Sequence, residues 1–388
     1  MMNLFPKNLL LKINERKAQD AFRKLGENKT HQVDFSSNDY LGFSKSKVIF
    51  NQTHQFLLDK NLLVNGATGS RLISGNFDLY TETEQYIADF HQSESALIYN
   101  SGYDANLGFF SAVLQKGDVI LYDEYIHASI RDGIRLSLAK AYKFKHNDCL
   151  DLAKKVVQYQ KNNSGNIYVV TESVFSMDGD IPDLVKMTQI CTENQVYLIV
   201  DEAHALGVFG NQGSGLVQEL ELQESVFARI ITFGKGLGCH GAAILGSQQL
   251  TDYLINFSRS FIYTTGLSPH SVAAIKTAYQ TLTSDEFVTA QNQLKNIISH
   301  FNAELNRLKL SEIFIPSHSA IHCAVISGNE KVKLVAQQIQ SQGFAVKAIL
   351  SPTVPLGQER LRICLHAYNT PQQVTQVLEL LSKFVSTI

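Results

Sequence analysis

Lys235 stands in ITFGKGLGCHGAA (residues 230–242), where an apolar run ends in Phe233 and Gly234, Gly236, Gly238 and Gly241 surround the lysine. Glycines let the backbone bend and let another molecule come close. Such a lysine is a surface residue, a phosphate contact or a nucleophile. Other residues with chemical potential follow other apolar runs: His127 in DEYIHAS, Ser176 in ESVFSMDGD, and Asp201 and His204 in DEAH. A further run ends in NSGYDANLGFF, a Ser-Gly turn leading into a helical pattern. A helix start after a glycine turn offers free N–H groups to an anion.

Each residue also has an ordinary reading. A lone histidine caps a helix or sits in a core, an Asp at a strand end is often an N-cap, and a lone lysine is usually solvated. The Gly-Lys pair is no nucleotide-phosphate loop, because Gly236 follows the lysine and the required upstream glycine is missing. Together, however, a phosphate cradle, an Asp at the tip of one strand and a lysine at the tip of another match pyridoxal phosphate. The lysine forms a Schiff base with the aldehyde, and the Asp keeps the pyridine nitrogen protonated so that the ring draws electrons. Burial and nearby cations lower a lysine's pKa and suit it to act as nucleophile and base.

The elements that must position these residues are short apolar runs: 96–99, 119–122, 167–171, 196–200, 230–233 and 243–245. They read as buried strands, with intervals long enough for crossover helices. The alternation predicts an open, mostly parallel α/β sheet, and ligands bind such sheets outside the carboxyl ends of the strands. Residues 1–45 read as an amphipathic helix followed by an extended segment, and 46–270 as the large cofactor-binding domain. Residues 271–388 read as a smaller α+β domain, with strands in SAIHCAVI, GFAVKAI and RLRICLH and a helix in VKLVAQQIQSQG stopped by Gly343.

Composition narrows the class. The 388 residues are 44% hydrophobic, enough for a large core, and 34 Lys+Arg nearly balance 36 Asp+Glu. No basic block points to nucleic acid. The five cysteines are scattered and form no CxxC pair, which argues against a disulfide framework or a zinc site. The N-terminus lacks the pattern of a signal peptide, and no run reaches the ~18 apolar residues of a membrane span. The expectation is a cytoplasmic protein with no membrane partner.

DFSSNDYLG, NGATGSRLISGN, SGYDANLG, HAS, FSMDGD, VDEAHALGVFG, TFGKGLG, IYTTGLSP and SPTVPLGQERLRI occur in this order across nearly the whole chain. In this it resembles the α-oxoamine synthases, fold-type I pyridoxal-phosphate-dependent acyl-CoA transferases. The resemblance implies that Lys235 is the Schiff-base lysine, Asp201 the partner of the pyridine nitrogen and His204 a contact of the cofactor's phenolic oxygen. It implies that His127 stacks on the ring and that Gly102 and Tyr103 form the phosphate turn. Ser176 and Thr232 match further cofactor contacts. Thr264 or Thr265 matches the residue that reaches the phosphate of the neighbouring subunit, which implies a homodimer. Arg362 matches the arginine that grips the amino-acid carboxylate, a task suited to its planar fork; Asn38 lies near that carboxylate in the family, and Arg23 and Thr353 match substrate contacts. The implied substrates are L-alanine and an acyl-CoA or acyl-carrier protein. Asn369 stands where the family often has histidine, and His240 and Ala205 replace more usual small or hydroxyl residues. Because Lys235, Asp201, His204 and His127 are all present, an inactive partner subunit, which typically lacks the lysine, is the poorer reading.

Overall fold

The computed structural model describes residues 5–23, 25, 31–161 and 164–386. Twelve strands occur among them: β1 (Val33–Asp34), β2 (Ser95–Tyr99), β3 (Val119–Asp123), β4 (Lys140–Phe144), β5 (Ile167–Glu172), β6 (Tyr197–Asp201), β7 (Ala228–Thr232), β8 (Ala242–Gly246), β9 (Ile321–Val325), β10 (Phe344–Ala345), β11 (Lys347–Ile349) and β12 (Arg360–Cys364). Five helices matter first: α1 (Lys7–Ala18), α2 (Lys47–Asp59), α3 (Asp78–Phe90), α4 (Gly102–Val113) and α5 (Ala128–Leu136).

The chain forms two compact units, one of residues 38–176 and 180–294 and the other of 1–37, 177–179 and 295–388. The sequence alone divided the chain at 45 and 270. Two pairings account for the difference. The N-terminal strand β1 pairs in parallel with β10, so the first residues belong with the last. The helix Pro269–Thr281 buries Val272, Ala273, Ile275 and Ala278, and its Lys276 pairs with Glu82 of α3 at 2.8 Å, so it belongs with the larger unit.

The larger unit holds a seven-stranded sheet in the order β2-β8-β7-β6-β5-β3-β4. Strands β4, β3, β5, β6 and β7 are parallel neighbours, while β8 runs antiparallel to both β7 and β2. The apolar runs become strands because both faces of the sheet are covered, as parallel sheets require: β2, β5 and β7 are buried at every position. One face packs on Phe109 and Phe110 of α4 and Ile130 and Ile134 of α5. Side-chain caps start the helices: Ser46 for α2, Ser101 for α4 and His127 for α5.

The smaller unit holds β11-β12-β9, antiparallel throughout, and the β1–β10 pair. GFAVKAI forms β10 and β11 rather than one strand. The predicted helix runs Asn329–Ser341, and Gly343 just beyond it takes a φ of +89°. Asn369 is buried: its Oδ1 accepts the His366 N–H at 2.8 Å and its Nδ2 donates to the Asp34 carbonyl at 3.1 Å. All five cysteines are free of disulfides. No described helix is long and apolar enough to cross a membrane.

Candidate active site

Neighbouring strand ends of the larger unit converge on one cavity of about 280 Å³. Its lining includes Asn38, Ser101, Gly102, Tyr103, Asn106, His127, Glu172, Asp201, His204, Thr232, Lys235 and His240. Glu172 ends β5 and Asp201 ends β6, and parallel pairing sets them directly side by side. Thr232 ends β7, and Lys235 follows in the connection to β8.

That connection is tied to itself. The Gly238 N–H donates to the Lys235 carbonyl at 2.9 Å, Cys239 N–H to Phe233 at 2.8 Å and Phe233 N–H to Gly241 at 3.0 Å. Gly238 takes a φ of +61°, and a Cβ there would lie 2.1 Å from the Ser44 amide nitrogen, so only glycine fits. The glycines around Lys235 therefore build a closed turn that presents one amine. Lys235 Nζ lies 2.8 Å from His204 Nε2, and His204 Nδ1 lies 2.6 Å from the Tyr40 hydroxyl. Tyr40 donates onward to Asn38 Oδ1 at 3.2 Å. A lysine ammonium only donates, so in that state the chain has one direction: Lys235 to His204, His204 to Tyr40, Tyr40 to Asn38.

Asp201 receives the Ala203 N–H on Oδ1 at 2.9 Å and the Asn106 amide on Oδ2 at 2.9 Å. His127 combines two roles that the sequence left as alternatives. Its Nδ1 accepts the Ser129 N–H at 3.2 Å and caps α5, while its ring lines the cavity. Accepting on Nδ1 leaves the ring proton on Nε2. Desolvation holds its pKa below the usual histidine value, with Asp201 pulling the other way and Lys235 reinforcing the shift. Glu172 is buried, and its Oε1 accepts the His127 N–H at 2.6 Å. Burial first, and the neighbouring Asp201 second, push its carboxyl well above the usual carboxylate range.

The start of α4 opens on the same cavity. Ser101 Oγ accepts the Asp104 N–H at 3.1 Å, and the Gly102 and Tyr103 N–H groups come too early in the helix to have an intrahelical acceptor. A Cβ on Gly102 would lie 2.6 Å from Thr232 Cγ2, so the backbone approaches the sheet as only glycine permits. Free N–H groups for a phosphate, a carboxylate for a ring nitrogen and an amine for an aldehyde share one cavity, and this donor set fits pyridoxal phosphate.

Other predicted residues lie elsewhere. Ser176 is half-buried in the loop after β5 and does not line the cavity. Neither Thr264 nor Thr265 lines it: Asn100 Nδ2 donates to Thr264 Oγ1 at 3.1 Å and to the Thr265 carbonyl at 2.7 Å. Arg362, Arg23 and Thr353 belong to the smaller unit. There Arg362 is buried on β12 between Cys323 and Lys347 in register, and Arg23 donates to Thr353 Oγ1 at 3.3 Å. Sequence reading missed Asn106 and Glu172. Glu172 is the last residue of its strand, the position that drew attention to Asp201. Asn106 lies within SGYDANLG, and nothing marked it out from its neighbours.

A parallel-rich sheet whose strand ends offer a lysine, a carboxylate and a helix start to one cavity defines a fold-type I pyridoxal-phosphate transferase. The sequence profile of aminotransferases class I and II matches residues 30–381, and the chain belongs to that family. Within it, the chain is 41% identical over 379 residues to the 8-amino-7-oxononanoate synthase of Emericella nidulans, covering 94% of this chain and 92% of the relative. It is 35% identical over 352 residues to that of Lysinibacillus sphaericus, covering 90% and 87%. The solved 8-amino-7-oxononanoate synthase of Francisella tularensis is 30% identical with a TM-score of 0.76, over 92% of this chain and 99% of that one. A serine palmitoyltransferase solved with its pyridoxal phosphate internal aldimine matches with a TM-score of 0.87 at 25% identity over 98% of each chain. The chain is a pyridoxal-phosphate-dependent acyltransferase.

Proposed function

We propose that the protein condenses L-alanine with pimeloyl-CoA, or with the pimeloyl-carrier protein, to give 8-amino-7-oxononanoate, the free thiol and CO₂ in biotin biosynthesis. The observation that carries this reading is the 41% identity, over 94% of the chain, with a protein named for that product. When bound, pyridoxal phosphate supplies an aldehyde that links to amines and a ring that accepts the electron pair released at the amino acid's Cα.

The chain handles protons and position. Lys235 takes the Cα proton of alanine as general base and later returns a proton to the product carbon. His204, 2.8 Å from its amine, steadies that group and would meet the cofactor's phenolic oxygen. Asp201 would hold the ring nitrogen, and His127 would pack on the ring. Gly102 and Tyr103 would hold the phosphate through backbone N–H groups, with Thr232 beside them as a further contact. Arg362 grips the alanine carboxylate with its two-pronged fork, with Asn38 beside that carboxylate; Arg23 and Thr353 contact the substrate.

The protein acts as a homodimer in which Thr264 or Thr265 reaches the partner's phosphate. Two observations support this assembly. Leu63, Val64, Leu72, Ile73 and Tyr263 are large apolar residues exposed to solvent. The segments that carry them are joined by the Gly266 N–H to Gly69 carbonyl hydrogen bond at 3.0 Å.

The test is thiol release by the cofactor-loaded protein. L-alanine, glycine and L-serine are crossed with pimeloyl-, acetyl-, succinyl- and palmitoyl-CoA. Release confined to L-alanine with pimeloyl-CoA is the expected result. Preference for glycine with acetyl-CoA would leave the acyltransferase chemistry intact and overturn the assigned substrates.

A further inference from the structure

Asn106 is a buried polar residue of the cavity wall, at 3% exposure, and the proposed reaction gives it no task. Its Nδ2 donates to Asp201 Oδ2 at 2.9 Å and to Ser129 Oγ at 3.0 Å. A carboxylate only accepts, so the amide nitrogen, not the oxygen, faces Asp201. The serine hydroxyl then lies 2.7 Å from His127 Nδ1, the nitrogen that also accepts the Ser129 N–H. One amide therefore connects the carboxylate at the end of β6 to the imidazole at the start of α5. Its own Oδ1 is buried and has no hydrogen-bond partner among the described residues. A buried amide oxygen left unpaired costs free energy, and here that cost accompanies a fixed orientation of the nitrogen.

We propose that Asn106 is a positioning residue that sets Asp201 and His127 together for the cofactor ring, by donating one N–H to the Asp201 carboxylate and the other to the hydroxyl that serves His127. Asp201 is held on both oxygens, by Ala203 and by Asn106, so its carboxylate cannot turn. The hydroxyl of Ser129 lies 2.7 Å from His127 Nδ1, and donating there keeps the imidazole proton on the far nitrogen. The inference rests on pyridoxal phosphate being the occupant of this cavity.

The experiment measures pyridoxal phosphate affinity by visible absorbance for the wild type, Asn106→Ala, Asn106→Ser and Asn106→Asp. Thermal melting of each cofactor-free chain reports folding separately. Loss of a hydrogen bond to a charged group is expected to weaken uptake about tenfold or more in Asn106→Ala. Asn106→Ser keeps a short donor and is expected to lie between Asn106→Ala and the wild type. Asn106→Asp sets a second carboxyl against Asp201, and two such groups share one proton. Its deficit relative to the wild type is expected to be greatest near about pH 8 and to shrink near about pH 5.5, where the introduced carboxyl regains a donor. Glu172, His127, His204 and Lys235 also line the cavity, so each variant is read as a ratio to the wild type at the same pH. Wild-type affinity in Asn106→Ala, or a deficit in Asn106→Asp that does not change with pH, would overturn the role of Asn106. A wild-type chain that takes up no pyridoxal phosphate would instead overturn the functional reading itself.

Discussion

Lys235 is held in a self-bonded turn and touches His204, so its amine is placed before any ligand arrives. Lys235→Ala is expected to keep the fold and lower turnover by about 10²–10⁴-fold, the contribution of general base catalysis. Borohydride treatment followed by mass measurement, which traps a lysine-linked cofactor, should find none attached. Unchanged turnover would remove the lysine from the reaction. At the phosphate end the determinant is space. Gly102→Ala would drive a methyl to 2.6 Å from Thr232 Cγ2. Overpacking of this kind costs roughly 1–3 kcal/mol, and we expect a matching fall in pyridoxal phosphate affinity by absorbance titration. Lys235, Asp201 and the Gly102 turn were legible because strand-end position and residue type coincide. Asn106 and Glu172 were not, because their roles arise from neighbours far away in sequence: Asp201 is 95 residues from Asn106, and His127 is 45 from Glu172.

Turns that flank the site are clamped by charge. Asp123, at the end of β3, lies 2.9 Å from His146 Nδ1, and Asp180 lies 2.8 Å from Nε2. Asn147 adds its N–H to Asp123 and its side chain to Asp180. Burial pulls the His146 pKa down, but the hydrogen bonds and charges of the two aspartates prevail and raise it to about 10. A folded pKa above the unfolded value of ~6.5 stabilises the fold fully below that value, and the contribution fades as pH rises through about 10. His146→Gln is therefore expected to lower the melting temperature most near pH 6, with the gap to wild type closing toward pH 10. A gap that stays constant with pH would exclude the charged clamp. Elements of this kind are hard to read in advance. The six apolar strands of the sheet were legible, each within about two residues, because burial on both faces writes an unbroken apolar run. Strand β4, KAYKF, was missed: it is exposed at Lys140, Ala141 and Lys143 and lacks that signature. The antiparallel entry of β8 was equally silent, since strand direction depends on pairing and not on composition.

The whole molecule carries its own expectation. Ile73 is 87% exposed and Tyr263 73% exposed, a large apolar outlay for a chain that stays alone. Light scattering should give twice the 43.2 kDa of one chain. Ile73→Asp should shift the population toward that single mass and, if Thr264 or Thr265 serves the partner's phosphate, release cofactor as well. A stable monomer with full cofactor affinity would break the homodimer proposal. The seven-stranded sheet has two margins, and they are protected differently. At β2 every residue is buried and Glu84 accepts the Ile98 N–H at 2.7 Å. At β4 the margin is open, and two lysines stand along it. Open strand margins template the pairing of separate molecules into aggregates, and lysine ammonium groups repel a second copy of the same strand. The strand least visible to hydrophobic patterning thus carries the charge that is expected to hold copies apart at high concentration, and replacing Lys140 and Lys143 by valine should make refolding turbid.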